Sequence, residues 1–177
     1  TTTSMTVIRS VLSALGYGVQ ETILNGKDFG ALEHRSRMCM VAVSAGLQVP
    51  ELSSLKPTGE TPMVFQDVLD PVAEDDPMWK SYSYLEDKEK RDKEAGKGFR
   101  RQLLTPESTS VGTIGRGYNK ARSTEPFLSH PSGDGRSRLF TPAEHARIKT
   151  IPDRLIQGVS NTIAHEILGQ SVVGNAF

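Results

Sequence analysis

The sequence has little cysteine, no net charge and no long apolar run. Its 177 residues contain one cysteine, Cys39, which excludes an internal disulfide framework and is typical of a reducing cytoplasm. The longest apolar runs, such as Met38 to Val43, are far too short to span a bilayer. Lys plus Arg equals Asp plus Glu, so the overall charge neither predicts nor excludes a nucleic-acid partner. We therefore expect a cytoplasmic protein that has no membrane partner.

Metal-binding patterns are also missing from the sequence. No cysteine pair exists, and the histidines are scattered without ligand spacing, so we expect no structural or catalytic metal. His165 lies near a predicted helix C-terminus, where its positive charge would interact favourably with the helix dipole. The sequence begins with Thr1 and enters a predicted helix almost at once, which indicates a piece of a longer protein.

Residues 1–48 predict one helix followed by two strands. Apolar residues at helical spacing follow Ser4, a typical N-cap, and continue to Gly16. β-branched and aromatic residues then fill Tyr17 to Asn25, and Arg37 to Val43 is a second apolar run of strand composition. Cys39 lies inside this second strand, where a thiol is usually an inert small hydrophobe.

Residues 49–137 change composition several times. Leu52 to Pro62 is rich in Ser, Pro and Gly and predicts a linker. Tyr84 to Ala95 combines strong helix formers with opposite charges at helical spacing, which favours a solvated helix. From Lys97 to Arg138 basic residues outnumber acidic ones, so this segment is the predicted basic face.

A glycine-rich stretch within the basic segment indicates contact with DNA. Gly112-x-x-Gly115-x-Gly117 lacks the preceding strand and following helix that a nucleotide-binding loop requires. Glycines instead let a backbone approach a groove closely, while cationic and polar side chains contact phosphates, sugars and base edges. A flexible basic surface loop is the alternative. The predicted DNA-binding residues are Arg100, Arg101, Thr113, Arg116, Tyr118, Lys120 and Arg122.

Residues 138–177 predict two helices and a turn. Thr141-Pro142-Ala143-Glu144 is a capping box with proline in the first turn, so a helix begins at Pro142. Pro152 should end that helix near Thr150. The second helix carries Val159, Ile163 and Ile167 on one face, flanked by Ala164 and Leu168.

Gly169 is predicted to end the second helix. The segment from Gly169 to Gly174 is rich in small residues, so its backbone amides and a hydroxyl can approach a ligand closely.

The order of these patterns resembles the cytosine-5 DNA methyltransferases. Arg-x-Phe-Thr-Pro-x-Glu-x-x-Arg, a Pro, a Ser-x-Thr helix and a Gly-(polar)-Ser-Val turn resemble that family's blocks IX and X. Leu24-Asn25, Phe29-Gly30 and Glu33-x-Arg35-x-Arg37 resemble its block VIII. Three positions depart from the family's pattern: Glu33 replaces Gln, Gln170 replaces Asn, and Lys149-Thr150-Ile151-Pro152 replaces Gln-Gly-Phe-Pro.

The resemblance implies an α/β fold and three regions. Residues 1–48 would be the end of the catalytic domain, a strand hairpin plus helix from a Rossmann-like, S-adenosylmethionine-dependent methyltransferase sheet. Residues 49–137 would be a small irregular target-recognition domain, and residues 138–177 the closing helices. Arg35 and Arg37 would hold the flipped cytosine and the target-strand phosphates, the alternative being a charged strand edge. Gln170, Ser171 and Val172 would line one wall of the S-adenosylmethionine pocket.

Three motifs of the family are absent from the sequence. It has no Phe-x-Gly-x-Gly cofactor loop, no Pro-Cys-Gln nucleophile loop and no Glu-Asn-Val motif, and Cys39 lies in the wrong context to be the nucleophile. We expect a C-terminal, DNA-recognising portion that is inactive alone and whose partners are double-stranded DNA and a missing N-terminal half. The alternatives are a non-catalytic DNA-binding or assembly subunit, or a structural protein that does not bind DNA.

Overall fold

Four α-helices and five strands lie between Thr3 and Ala176, the residues that the computed structural model describes. The helices are α1 (Thr3–Ala14), α2 (Ser83–Glu94), α3 (Pro142–Ile148) and α4 (Asn161–Gln170). The strands are β1 (Gly18–Asn25), β2 (Ser36–Val43), β3 (Gln102–Leu104), β4 (Pro126–Ser129) and β5 (Ser137–Arg138). Single-turn 3₁₀ helices occur in several connections. The helix, strand, strand order predicted for the first region is confirmed.

The two N-terminal strands form an antiparallel hairpin. Gly18 pairs with Val43 at one end and Asn25 with Ser36 at the other. The Asn25 side chain accepts a hydrogen bond from the amide of Lys27 and so opens a 3₁₀ turn directly after β1. Beyond that turn, a cluster of Leu24, Phe29, Ala31 and Val173 closes this end of the hairpin, and Cys39 packs against it, as expected for a structural thiol.

The middle region contains a small mixed sheet that the sequence did not predict. β3 pairs parallel with β4, and β4 pairs antiparallel with β5. Phe140 stacks on Phe65 at 5.3 Å and on Tyr118 at 6.1 Å between ring centroids, which forms the centre of the main core. That core draws on all three predicted regions, and its buried members are Leu32, Phe65, Val68, Trp79, Val111, Ile114, Tyr118, Leu128, Phe140 and Ile148.

The capping box predicted for α3 is confirmed. The Thr141 hydroxyl accepts the Glu144 amide at 3.1 Å, and the Glu144 carboxylate accepts the Thr141 amide at 2.7 Å. The helix ends at Ile148, two residues before the predicted position, and Thr150 takes a left-handed conformation with φ 56°.

Helix α4 differs from expectation at both ends. It begins at Asn161, so Val159, which was predicted to lie on its face, precedes it. Gly169 lies inside the last turn, and the helix continues through Gln170. Ala164 and Leu168 are buried. The face that carries Ile163 and Ile167 is exposed, at 50% and 46%. Periodicity therefore located the faces of α4 correctly but does not by itself say which one points inward.

Candidate functional site

Arg35 and Arg37 flank the start of β2 and have different environments. Arg35 is 5% exposed and donates from Nη2 to the Gly169 carbonyl at 2.9 Å. Burial lowers the pKa of Arg35, while the Glu33 carboxylate opposes that change. Arg37 is exposed, and its Nη1 donates to the Ser36 carbonyl. Of the two, Arg37 presents its guanidinium to solvent.

A cavity of about 10 Å³ lies beside these arginines. Arg35, Arg37 and Val172 all line it, together with the end of β1. It is too small for a nucleotide, but the predicted cytosine-holding residues and a predicted cofactor residue share its wall. Its lining is Leu24, Asn25, Gly26, Arg35, Arg37, Val172, Val173 and Ala176.

The three residues of the predicted cofactor wall follow one another at the end of α4. Gln170 is exposed and Val172 is 39% exposed, so an amide and an apolar group face solvent side by side. Ser171 caps the helix, and its hydroxyl donates to the Leu168 carbonyl at 2.7 Å. That hydroxyl keeps its acceptor lone pairs for a ligand. An exposed amide, an apolar surface and a hydroxyl acceptor suit one wall of a nucleoside site.

The glycine-rich segment lies against α4. Arg116 forms an ion pair with Glu166, and Asn119 donates to the Thr162 hydroxyl at 3.3 Å. The Thr113 hydroxyl donates to the His34 carbonyl at 2.9 Å, which connects the segment to the loop before β2. Four of the predicted DNA-binding side chains in this segment are exposed, namely Thr113, Arg116, Lys120 and Arg122.

Tyr118 contradicts its predicted role in DNA contact. Its side chain is 0% exposed. The hydroxyl donates to the Pro126 carbonyl at 2.9 Å and accepts the Phe140 amide at 2.9 Å. Burial raises the pKa of Tyr118 well above its usual value. The residue is therefore a hydrogen-bonded member of the core.

Arg101 also has a different role from the one predicted. Its side chain is 3% exposed and lies 3.5 Å from the Glu86 carboxylate. Its Nη2 donates to the Ser137 hydroxyl at 3.1 Å, and the guanidinium lies over the Phe127 ring. These contacts fasten α2 to the small sheet, whereas Arg100 is exposed and stays available for a phosphate.

His145 and His165 form a buried pair that the sequence did not reveal. Their Nδ1 atoms are 3.0 Å apart, so one ring donates and the other accepts. Burial lowers the pKa of His165 to about 4. Burial lowers the pKa of His145 well below its usual value, and the neighbouring His165 and the charges of Lys149 and Arg35 lower it further. The expected dipole interaction of a charged His165 is wrong, because the ring is neutral at pH 7.

The pair predicts a stability that falls in mild acid. A histidine whose pKa is lowered by folding binds a proton more readily in the unfolded state. Its contribution to stability is therefore complete at pH values above the unfolded pKa near 6.5, and is lost as the pH falls below that value. Between pH 7.5 and 5.5 we expect the free energy of unfolding to drop by about 1.4 kcal/mol through His165, and to drop further in the same direction through His145. Urea titrations at both pH values measure this. A His165→Asn variant that keeps the full drop contradicts the assignment.

Glu33 and Lys149 form a buried ion pair that links two of the sequence departures. Lys149 Nζ lies 2.7 Å from Glu33 Oε2, and both side chains are 0% exposed. Glu33 therefore points into the protein, and not toward a DNA surface. The sequence contained one signal of this pair. The related family has an uncharged Gln at both positions, whereas this chain has a negative Glu33 and a positive Lys149.

The described part of the chain contains neither a metal-binding cluster nor a membrane-spanning helix. Within residues 3–176, His, Cys, Asp and Glu side chains form no group of three or more that is suited to a metal ion. None of the helices in the same range combines the length and the apolar character needed to cross a membrane.

Solved structures show which class of fold this is. The chain is similar to the Dnmt2 methyltransferase of S. pombe, with a TM-score of 0.74, 20% identity, and coverage of 99% of this chain and 59% of that one. It is also similar to the methyltransferase EhMeth of Entamoeba histolytica, with a TM-score of 0.71, 17% identity, and coverage of 97% and 54%. The protein has an α/β methyltransferase fold.

Sequence comparison identifies the family. Residues 2–177 match C-5 cytosine-specific DNA methylase, and the chain belongs to that family. It is 29% identical to Type II methyltransferase M.NlaX of Neisseria lactamica, over 96% of this chain and 53% of the relative. It is 27% identical to Type II methyltransferase M.HpaII of Haemophilus parainfluenzae, over 96% and 51%. The chain thus spans about half the length of these relatives.

Proposed function

We propose that this chain is the C-terminal, DNA-recognising portion of a DNA (cytosine-5-)-methyltransferase. The observation that carries the proposal is the meeting of Arg35, Arg37 and Val172 at one cavity, because it joins the predicted cytosine site to the predicted cofactor wall. Arg37 and the exposed residues of the glycine-rich segment would contact double-stranded DNA. The division at residues 48 and 137 and a cytoplasmic location stay predictions.

In this proposal, the described residues of the chain form one wall of the cofactor site. S-adenosylmethionine supplies the methyl group when it is bound, and Gln170, Ser171 and Val172 would contact it from one side. Arg35 keeps this wall in place, because its guanidinium donates to the Gly169 carbonyl immediately before Gln170.

A second portion carrying the nucleophile and the main cofactor motifs is part of the proposal. Two apolar faces support it. Helix α1 has no buried residue, and its Val7 and Val11 are 55% and 51% exposed. Leu15, in the turn directly after the helix, is 67% exposed. The outer face of α4 exposes Ile163 and Ile167. Exposed apolar surface of this kind is typical of a protein interface.

DNA binding by the chain tests the proposal directly. Fluorescence anisotropy with a duplex at several salt concentrations should show weak, salt-sensitive binding. Arg37→Ala and Arg116→Ala should each weaken binding and lower the salt slope by about 1, because each removes a phosphate contact. Arg154→Ala removes the same charge from an exposed site away from the segment and should change little. Binding that is insensitive to both substitutions, or absent, would favour a structural protein that does not bind DNA.

A methyl-transfer assay separates the proposal from a non-catalytic DNA-binding or assembly subunit. The purified chain alone should transfer no methyl group, and adding a protein that carries the three absent motifs should restore incorporation of labelled methyl into DNA. DNA retention without any such restoration would favour the non-catalytic subunit. Transfer by the chain alone would overturn the proposed need for a second portion.

A further inference from the structure

The loop between β1 and β2, residues 26–35, forms hydrogen bonds with three other parts of the fold. Leu32 donates its amide to the Ile148 carbonyl at the end of α3. At the start of the glycine-rich segment, the His34 amide donates to the Val111 carbonyl, and the Val111 amide donates to the Leu32 carbonyl, each at 2.8 Å. The end of α4 contacts the same loop through Arg35.

Glu33 lies at the centre of this junction and uses both carboxylate oxygens. Oε2 accepts from Lys149 Nζ at 2.7 Å, directly after α3. Oε1 accepts the Ile114 amide at 2.7 Å and lies 3.6 Å from Arg35 Nη1. One carboxylate therefore contacts the end of α3, the glycine-rich segment and the buried arginine.

We infer that Glu33 and Lys149 are a positioning pair, which fixes Arg35 and the segment Val111–Arg116 in one arrangement on the fold. The expected effect of this pair on DNA affinity rests on the proposed function. Arg116 follows Ile114 by two residues. The hydrogen bond from the Ile114 amide to Glu33 therefore fixes the backbone position from which the exposed Arg116 side chain extends. The charge of Lys149 is required because Lys149 Nζ is the nearest cation to the buried Glu33 carboxylate, at 2.7 Å against 3.6 Å for Arg35 Nη1, and an incompletely compensated buried carboxylate is strongly unfavourable.

The pair is expected to act as a unit. Glu33→Gln removes the carboxylate that Lys149 and Arg35 share, and Lys149→Gln leaves Glu33 with only the more distant Arg35, so each single change should lower Tm by several degrees. The double change E33Q/K149Q removes both charges of the pair and leaves two amides that can bond to each other, while Arg35 keeps its bond to the Gly169 carbonyl. The double variant should therefore recover part of the Tm lost in Glu33→Gln, and its loss should be smaller than the sum of the two single losses. Glu107→Gln, at an exposed position, makes the same chemical change and should leave Tm unaltered.

Hydrogen exchange shows whether the pair positions the segment or only stabilises the fold. Under native conditions the single variants should lose protection first at Val111 and Ile114, and the double variant should regain it. DNA affinity, measured well below Tm, should fall several-fold in the single variants and recover in the double.

Two results would overturn the inference: Tm losses that simply add in the double variant, or protection lost evenly along the chain. If the unaltered protein shows no salt-sensitive DNA binding, the proposed function fails. The Tm coupling and the exchange pattern then still decide whether Glu33 and Lys149 position the segment.

Discussion

Replacing Glu144 by Gln is expected to destabilise the protein by about 3–5 kcal/mol, because it leaves the buried Arg138 guanidinium without its counter-charge. Arg138 donates to both Glu144 oxygens at 2.6 Å, and the two side chains are 2% and 0% exposed. The guanidinium also lies over the Trp79 ring. A glutamine would place an amide N–H group against one of the guanidinium donors, so one of the two bonds is lost and no negative charge remains.

The position of Glu144 explains why the loss extends beyond one ion pair. Its carboxylate also accepts the Thr141 amide that begins α3 and the Asp70 amide of a distant loop, at 2.7 and 2.9 Å. Glutamine keeps one acceptor oxygen, so these two amides and Arg138 compete for it. The capping box and the connection to Asp70 should therefore weaken together.

Urea unfolding of the Glu144 variant, with Glu94→Gln as a control, measures this effect. Glu94 is exposed at the end of α2 and should change the free energy of unfolding by less than about 0.5 kcal/mol. Replacing both partners, as Arg138→Met with Glu144→Gln, should cost less than the sum of the two single changes. A Glu144 variant as stable as the Glu94 variant would show that the ion pair contributes little.

Local signals in the sequence predicted local structure well. Thr141, Pro142 and Glu144 are within one helical turn of each other, and the capping box they predict is present. The hairpin likewise follows from β-branched runs that end at the Asn25 turn. Membership of the family also agrees with the resemblance that both ends of the chain indicated.

Burial was not predictable in the same way, because it depends on residues far away in sequence. Tyr118 and Arg101 look like DNA contacts within a basic segment, yet contacts with Phe140 and Ser137 place both inside the fold. Glu33 and Lys149 are separated by 116 positions, and neither alone indicates an ion pair. A single sequence shows that a segment is rich in basic and polar residues. It does not show which of those side chains are buried by contacts with distant residues.

Adding one methyl group at Gly169 should displace the glycine-rich segment. Gly169→Ala would normally stabilise a helix interior by about 1 kcal/mol. Here a Cβ atom would lie 2.3 Å from the Arg116 amide nitrogen and 2.4 Å from the Gly115 carbonyl carbon, and neither backbone atom can rotate away as a side chain does. We expect a net loss of about 3 kcal/mol, at the upper end for overpacking.

The same substitution should also affect both proposed ligand sites. Separating α4 from the segment breaks the contact between Arg116 and Glu166, and shifts the Gly169 carbonyl that Arg35 contacts just before Gln170. Gly98→Ala is the matched control, because a Cβ there meets nothing within 4 Å. Denaturant unfolding and DNA titration of both variants measure the difference. Equal stability and equal DNA affinity in the two would mean that α4 and the segment move apart without cost, and that Gly169 does not connect the cofactor wall to the DNA-binding surface.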